Sequence, residues 1–446
     1  MGFLNLLYQK FKYDKHLNLS EEQIKQFQKE KLKKLVKYSF KNSEFYKDLF
    51  MQSEIRYEDL EHIDLKDLPT VNKSMLMNNF NKVVTKNSIT KDKVINFVDH
   101  NPKPTALLDN KFHIIHSSGT SGEIGYYIYD NKNWELLKAV GASRLFKSFG
   151  LQRKKYAFIG ASDGHYAGIS FFLSPVNKFE QYFYQDFLVM DINYPLNTYI
   201  DKLNKLQPDI ISGYPSAINM LLDYQKNNKL NIKPNHIICG GEPLTQEAYD
   251  KIKKYWHKEP VNYYGTSESI MMGAGFGKEG IYIFDDLIIL EFAGNKTYLT
   301  NLYNYTEPLI RYEMDDLIVK GEKENKKWPF TYIKNISGRE EDLLWLENEN
   351  NNMDFIHPIV FVELHIKGLK KIQIFKVNDL NIIFKAVPKE NVKKETIKNN
   401  IVIKMDEILK KKNMKNIKLD IELVDNIPNS PQTGKHELIK TKSNNK

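Results

Sequence analysis

The stretch of this chain with the most chemical potential is HSSGTSGE, residues His116–Glu123, in which six of eight residues are Ser, Thr or Gly. It follows a mostly apolar run, Phe112–Ile115. With so little side-chain bulk, its backbone N–H groups and hydroxyls can close around phosphate oxygens. A Walker A loop ends in Gly-Lys-Ser/Thr, whereas this one ends in Gly122-Glu123, which removes the ordinary nucleotide-hydrolase reading. Surface turns are also built from clustered Gly and Ser, so the loop by itself leaves a phosphate cradle and a flexible turn both open.

Four further motifs follow it: YYGTSES (Tyr263–Ser269), PLIRYEMDD (Pro308–Asp316), ISGREED (Ile336–Asp342) and SPQTGKHELIK (Ser430–Lys440). In order and spacing, the five resemble the adenylate-forming enzymes, the superfamily of acyl-CoA ligases, nonribosomal peptide adenylation domains and luciferase. SGYPSAI (Ser212–Ile218), GGEPLTQE (Gly240–Glu247), GIYIFDDLIILE (Gly280–Glu291) and LTNLYNYTEPLIRY (Leu299–Tyr312) are most similar to its phenylacetate–CoA ligase branch. Within that branch they look most like the CapK-like proteins of bacterial polysaccharide and natural-product clusters. The resemblance runs from about residue 20 to about residue 441.

The resemblance implies an ATP-dependent, Mg²⁺-requiring ligase that activates a small carboxylic acid as an acyl- or aryl-adenylate and releases pyrophosphate. The acyl group then passes to a thiol, either coenzyme A or the phosphopantetheine of an acyl carrier protein. An amine or hydroxyl acceptor is the alternative within the class, and a non-catalytic nucleotide-binding relative is the alternative outside it. Activation sets an anionic carboxylate against a triphosphate, so the site must supply metal, cations and oriented N–H groups.

Carried over residue by residue, Ser117, Ser118, Gly119, Thr120, Ser121 and Gly122 would wrap the β- and γ-phosphates. In the loop of Tyr264, Gly265, Thr266 and Ser267, the ring of Tyr264 would stack on adenine and the Ser267 hydroxyl would meet the α-phosphate. Glu268 would ligate Mg²⁺, a hard cation that takes anionic oxygen and tolerates retained waters. Gly241, Glu242 and Pro243 would lie under the adenine through backbone contacts. Asp316 would hold the ribose, since a carboxylate can accept both O–H groups of a vicinal diol. The family's Thr-Gly is replaced here by Met314-Asp315, which makes Asp315 a second candidate. Arg311 reads as structural, pairing with carboxylates near the site.

In ISGREED, Arg339 matches the family arginine near ribose and phosphates, and Glu341 or Asp342 the pivot of an interdomain hinge. Lys435 matches the catalytic lysine. His165, Tyr166, Tyr214 and Met271 would line an apolar acyl pocket with Pro215, Met272 and Phe276; a satisfied core histidine is the competing reading of His165. Two departures stand out. The family's Pro-Lys after the glycine-rich loop is replaced by Glu123-Ile124-Gly125, and LLWLENENNNMDFIHP stands where a glycine segment follows the hinge.

The elements that must position these residues read as an α/β fold. A chain of 446 residues exceeds one ordinary core. The expected organisation is a large N-terminal ATP- and acyl-binding domain, 1–336, of α/β layers with a small β-rich subdomain. A small mobile α+β domain, 337–446, follows and carries the lysine loop. Residues 19–51 predict one long helix with Ser20 as N-cap, and further helices are predicted within 60–71 and 73–80. From Phe112 strands alternate with helices. Strands are expected at Tyr156–Ala161, Asp209–Ser212, His236–Cys239 and Val261–Tyr264, and helices at Tyr199–Leu206, Ala217–Lys226 and Gln246–Trp256. Candidate motifs thus follow strands, where α/β folds bind ligands. Short alternating strands are expected over 280–319. Beyond the hinge the pattern predicts strands near 372–377, 381–387 and 417–423 and a helix over 393–411.

Composition narrows the rest. Hydrophobic residues are 41% and aromatic residues 12% of the chain, too apolar for disorder. The single cysteine, Cys239, excludes an intramolecular disulfide and any multi-cysteine zinc site, and suits a reducing cytoplasm. No apolar run approaches the ~18–20 residues that span a bilayer. The opening MGFLNLLYQKF has only a short apolar patch and no signal-peptide h-region. The net charge of +9 fits lysines on solvated faces in an AT-rich coding sequence, or a polyanionic partner such as ATP, coenzyme A or an acidic carrier. The lysines are dispersed and no nucleic-acid-binding signature appears, so nucleic acid is not an expected partner. A monomer or homodimer is expected.

Overall fold

The computed structural model of the chain describes residues 3–117, 124–145, 154–174, 186–276, 280–294, 296–322, 326–337, 343–362, 364, 366, 368–389, 392–428 and 437–441. The chain divides into two compact units, one of residues 1–116, 126–189 and 200–338, the other of 117–125, 190–199 and 339–446.

Apolar runs at Tyr156–Ile159, Ile210–Ile211 and Ile237–Cys239 are buried on both faces, as strands of a parallel sheet covered by helices must be. They form β3 (Lys155–Gly160), β5 (Ile210–Gly213) and β6 (His236–Gly240), and pair in parallel with one another and with β7 (Val261–Tyr264). Helices Pro215–Lys226 and Gln246–Trp256 make the crossovers. The sheet continues antiparallel through β8 (Gly273–Phe276), β9 (Ile281–Ile283), β14 (Tyr332–Ser337) and β13 (Leu317–Lys320). With β4 (Asp186–Asp191) beside β3, its nine strands run β13-β14-β9-β8-β7-β6-β5-β3-β4.

The short strands expected over 280–319 divide between two sheets. β9 and β13 extend the large sheet, while β10 (Ile288–Ala293), β11 (Lys296–Asn301) and β12 (Tyr312–Met314) form a three-stranded antiparallel sheet of their own. The glycine-rich loop leaves β1 (Phe112–His116) and returns as β2 (Tyr126–Asp130), an antiparallel pair followed by helix Asn131–Arg144.

The N-terminal segment holds the site motif PLIRYEMDD. Helix Glu21–Asn42 starts at a capping box, with Gln23 N donating to Ser20 Oγ at 3.1 Å and Ser20 N to Gln23 Oε1 at 2.8 Å. The single helix expected over 19–51 is two, because Ser43 takes extended backbone and caps a second helix, Glu44–Gln52. That second helix presents the buried Tyr46, whose hydroxyl donates to Pro308 O at 3.0 Å and accepts from Ile310 N at 3.2 Å. Val71 pairs beside β12, with Val71 N on Arg311 O at 3.1 Å and Glu313 N on Val71 O at 2.8 Å.

Helix Phe3–His16, which the opening's short apolar patch did not signal, is pinned by a buried charge cluster. Asp286 accepts both arms of Arg144, one at 2.8 Å, and lies 2.9 Å from His16 Nδ1. Arg144 and Asp286 are fully buried, and rings of Phe284 and Phe330 face the guanidinium. A buried bidentate pair of this kind orients elements, while loss of one partner strands a charge in the core.

In the second unit a four-stranded sheet runs β19 (Lys418–Leu423), β18 (Asn381–Pro388), β17 (Leu369–Asn378), β20 (Ile439–Thr441). Helix Lys394–Lys411 buries Ile397, Ile401, Met405 and Leu409. A hairpin, β15 (Leu344–Glu347) and β16 (Met353–Ile356), precedes the sheet. Among the described residues no helix is long and apolar enough to cross a membrane.

Candidate active site

Because β3, β5, β6 and β7 are parallel, the segments leaving their C-terminal ends share one edge of the sheet: Ala161–Tyr166, Tyr214, Gly241–Pro243 and Gly265–Ser269. Two glycines there are required by space. A Cβ on Gly265 would sit 2.0 Å from Ile270 O. Gly241 has φ +83°, and its Cβ would stand 2.7 Å from the Tyr214 ring. The turn after β7 is held internally, with Thr266 N donating to Ser269 O at 3.1 Å and Ser269 N to Thr266 Oγ1 at 3.3 Å.

Glu268 projects from that turn into a set of tyrosines. Its Oε1 accepts from Tyr127 Oη at 2.8 Å and Tyr312 Oη at 3.2 Å, and the two hydroxyls are 3.1 Å apart. No hydrogen bond to its second oxygen is made by the described residues. Tyr129 Oη donates to Ser267 O at 2.7 Å, and Ser267 Oγ to His116 O at 3.2 Å. Burial, then the nearby Glu268 charge, pushes the Tyr127 hydroxyl well above the usual tyrosine range. At neutral pH it therefore stays a donor.

Tyr264 and Asp316, 52 residues apart, meet directly: Tyr264 Oη donates to Asp316 Oδ2 at 2.8 Å. Burial and this carboxylate keep the Tyr264 phenol protonated. Asp315 lies exposed and pairs at 3.3 Å with Lys73, away from Tyr264. Arg311 pairs with Glu291 at 3.0 Å and donates to Lys66 O at 2.7 Å, the structural role expected of it.

Around the neighbouring strand ends, Glu242 Oε2 accepts from Ser216 N at 3.1 Å, in the first turn of helix Pro215–Lys226. Desolvation pushes the Glu242 carboxyl up to about 7 despite that bond. His165 is buried at 1% exposure, and its Nε2 lies 2.6 Å from Asn101 O, which fits a core histidine. Met271 is fully buried, within reach of Gly141 on helix Asn131–Arg144. Tyr166 stays partly exposed, its ring edge-on to His116 at 4.5 Å, and Tyr214 likewise keeps a partly exposed ring.

A solved structure with this arrangement of elements is 2-hydroxyisobutyryl-CoA ligase in complex with 2-HIB-AMP and CoA in the thioesterification state. It matches with a TM-score of 0.59 over 96% of this chain and 91% of that one, at 17% sequence identity. The chain has the adenylate-forming fold. The same ligase in the postadenylation state, in complex with 2-HIB-AMP, matches with a TM-score of 0.53 over 93% of this chain and 89% of that one, again at 17% identity. Protein CapK of Staphylococcus aureus is 25% identical over 96% of this chain and 92% of its own length. Indoleacetate–lysine synthetase of Pseudomonas savastanoi is 25% identical over 167 residues, 34% of this chain and 42% of that protein. No family model matches the chain.

Within the adenylate-forming fold, the sequence-derived candidates Tyr264, Gly265, Thr266, Ser267, Glu268 and Asp316 come together at the end of β7. Gly241, Glu242, Pro243 and Tyr214 stand at the ends of β6 and β5. Ser117 anchors the neck of the glycine-rich loop, accepting from Gly125 N at 2.8 Å through its Oγ. Ser118, Gly119, Thr120, Ser121 and Gly122, the hinge candidates Arg339, Glu341 and Asp342, and Lys435 lie outside the described residues. Sequence reasoning missed Tyr127, Tyr129 and Tyr312. The two-residue spacing of Tyr127 and Tyr129 on a strand leaving the loop was a signal, since such residues share one face.

Proposed function

We propose that this protein binds ATP and activates a carboxylic acid as an acyl-adenylate, releasing pyrophosphate, and then transfers the acyl group to a thiol. The observation that carries the proposal is the joining of two carboxylates through aromatic hydroxyls of the motifs themselves. Tyr264 and Glu268 leave the same strand end; Asp316 takes the Tyr264 hydroxyl and Glu268 the Tyr312 hydroxyl. Tyr312 and Asp316 in turn belong to one motif, so the two loops face each other as a nucleotide clamp would require.

In this reading Asp316 accepts the ribose hydroxyls and the Tyr264 ring stands beside the adenine. The small turn Gly265–Ser267 brings backbone and hydroxyl to the α-phosphate. Among the described residues no cluster of three metal-binding side chains exists. Mg²⁺ would be held by Glu268 together with the substrate's phosphate oxygens, a ligand set that suits a cation retaining waters. Bound there, it would neutralise charge on the triphosphate. Lys435, on a C-terminal domain turning about Ile336–Asp342, is proposed to reach the α-phosphate during adenylation and withdraw for transfer. Coenzyme A is the proposed acceptor, and the phenylacetate–CoA ligase branch, on the sequence motifs, the proposed relative.

Transfer to an amine is the second reading, favoured by the similarity to indoleacetate–lysine synthetase. One assay addresses both: pyrophosphate release across aryl, fatty and hydroxy acids, with coenzyme A or lysine added as acceptor. Acid-dependent release followed by thioester supports the proposal, and amide product the second reading. Nucleotide binding with no release for any acid would make the protein a non-catalytic relative.

A further inference from the structure

We propose that the outward face of helix Phe3–His16 docks this protein on an anionic lipid surface. Leu4, Tyr8 and Phe11 are 80%, 65% and 60% exposed, the three most exposed large apolar side chains among the described residues. Their spacing of four and three residues puts them on one helical face.

The opposite face is anchored. Leu6 and Tyr13 are buried. Asn5 Nδ2 donates to Glu135 at 3.2 Å, and Asp14 accepts from Ser143 at 2.5 Å. His16 joins the Arg144–Asp286 cluster at 2.9 Å. The helix is thus held on the body of its unit while displaying an apolar ridge.

Charge selects the occupant. Lys12 and Lys34 lie close enough to Lys31 for their charges, after burial, to lower its pKa. Neither Lys12, Lys31 nor Lys34 has an ion-pair partner among the described residues, and Lys15 is exposed beyond Phe11. Asp14, the helix's acidic residue, is engaged by Lys10 at 2.6 Å as well as by Ser143. An aromatic and aliphatic ridge flanked by unneutralised lysines is the composition of helices that lie in the interface of acidic bilayers. The ridge offers roughly a few hundred Å² of apolar surface, short of the ~800 Å² per partner of a standard protein interface. Insertion of three side chains beside lipid phosphates needs no larger area. The proposal is independent of the ligase reading.

Co-sedimentation of the full chain with vesicles tests it. Binding should be strong to phosphatidylcholine containing about one-third phosphatidylglycerol, weak to phosphatidylcholine alone, and reduced by added salt. Replacing Leu4, Tyr8 and Phe11 together by Ser should abolish binding. Lys12→Ala with Lys34→Ala should weaken it on the order of tenfold. Both variants should keep the wild-type melting temperature, since the five side chains lie outside the core. Equal sedimentation with neutral and acidic vesicles, or none with either, would overturn the proposal. So would concentration-dependent self-association that the triple variant abolishes, which would make the ridge a contact between copies.

Discussion

Asp315 and Asp316 are adjacent in sequence and opposite in surroundings. The first stands in solvent beside Lys73, the second receives the Tyr264 hydroxyl. An exposed pair such as Lys73–Asp315 is worth ~0–1 kcal/mol, so Asp315→Ala should leave both stability and nucleotide affinity nearly unchanged. ATP with Mg²⁺ should raise the wild-type melting temperature by mass action. Asp316→Ala should remove most of that rise while Asp315→Ala keeps it; the reverse pattern would transfer the ribose to Asp315. Glu268→Gln keeps the acceptor oxygen for Tyr127 and Tyr312 but removes the negative charge. Pyrophosphate release should fall on the order of 10²–10³-fold, as for loss of one electrostatic contact in the transition state, and the Mg²⁺ requirement should rise. A Gln variant with unaltered Mg²⁺ dependence would move the metal elsewhere.

At the scale of elements, β2 is tied to the turn after β7. Two of its three tyrosines, Tyr127 and Tyr129, hold Glu268 and Ser267, while its central residue is gripped from behind. Ile128 N donates to Glu307 Oε2 at 2.7 Å, and Ile128 O accepts from Asn304 Nδ2 at 2.8 Å. Glu307 is buried, and desolvation pushes its carboxyl up to about 8 from an ordinary 4.5. Folding therefore favours the protonated form. Its contribution to stability is full below about 4.5 and is lost as pH rises through about 8. Glu307→Gln keeps the acceptor for Ile128 without that ionisation. The variant's melting temperature should gain on wild type by several degrees between pH ~5 and ~8.5, read by thermal denaturation at each pH. Parallel curves would mean that Glu307 is not the titrating group.

At the scale of the whole molecule, the proposed mechanism needs two states, and Lys435 separates them. A cation at the α-phosphate that is present only during adenylation acts on that transition state alone. Lys435→Ala should reduce pyrophosphate release on the order of 10²–10³-fold. Supplied with presynthesised acyl-adenylate, the variant should still acylate its acceptor at near the wild-type rate. Equal loss in both half-reactions would end the domain-alternation proposal. A single-turnover assay of each half-reaction is the measurement.

What the sequence by itself determined is what short-range chemistry determines. The capping box at Ser20 starts a helix because Ser20 and Gln23 lie three residues apart. Apolar runs ending in Gly-rich motifs became β3, β5, β6 and β7, each opening onto candidate residues at one sheet edge. Motif order was enough for the adenylate-forming fold. Tertiary structure decided everything that depends on partners far along the chain. Glu268 meets Tyr127 across 141 residues and Tyr312 across 44, and no local pattern encodes such pairs. Asp315 and Asp316, adjacent in the chain, took different partners, Lys73 and Tyr264, and His165 turned inward to Asn101 O, 64 residues away. Even the helix break at Ser43 carries a long-range contact, for it aims Tyr46 at Pro308 and Ile310. Hydrogen bonds and packing between distant segments are energetically local and sequentially remote, so only the folded chain reveals them.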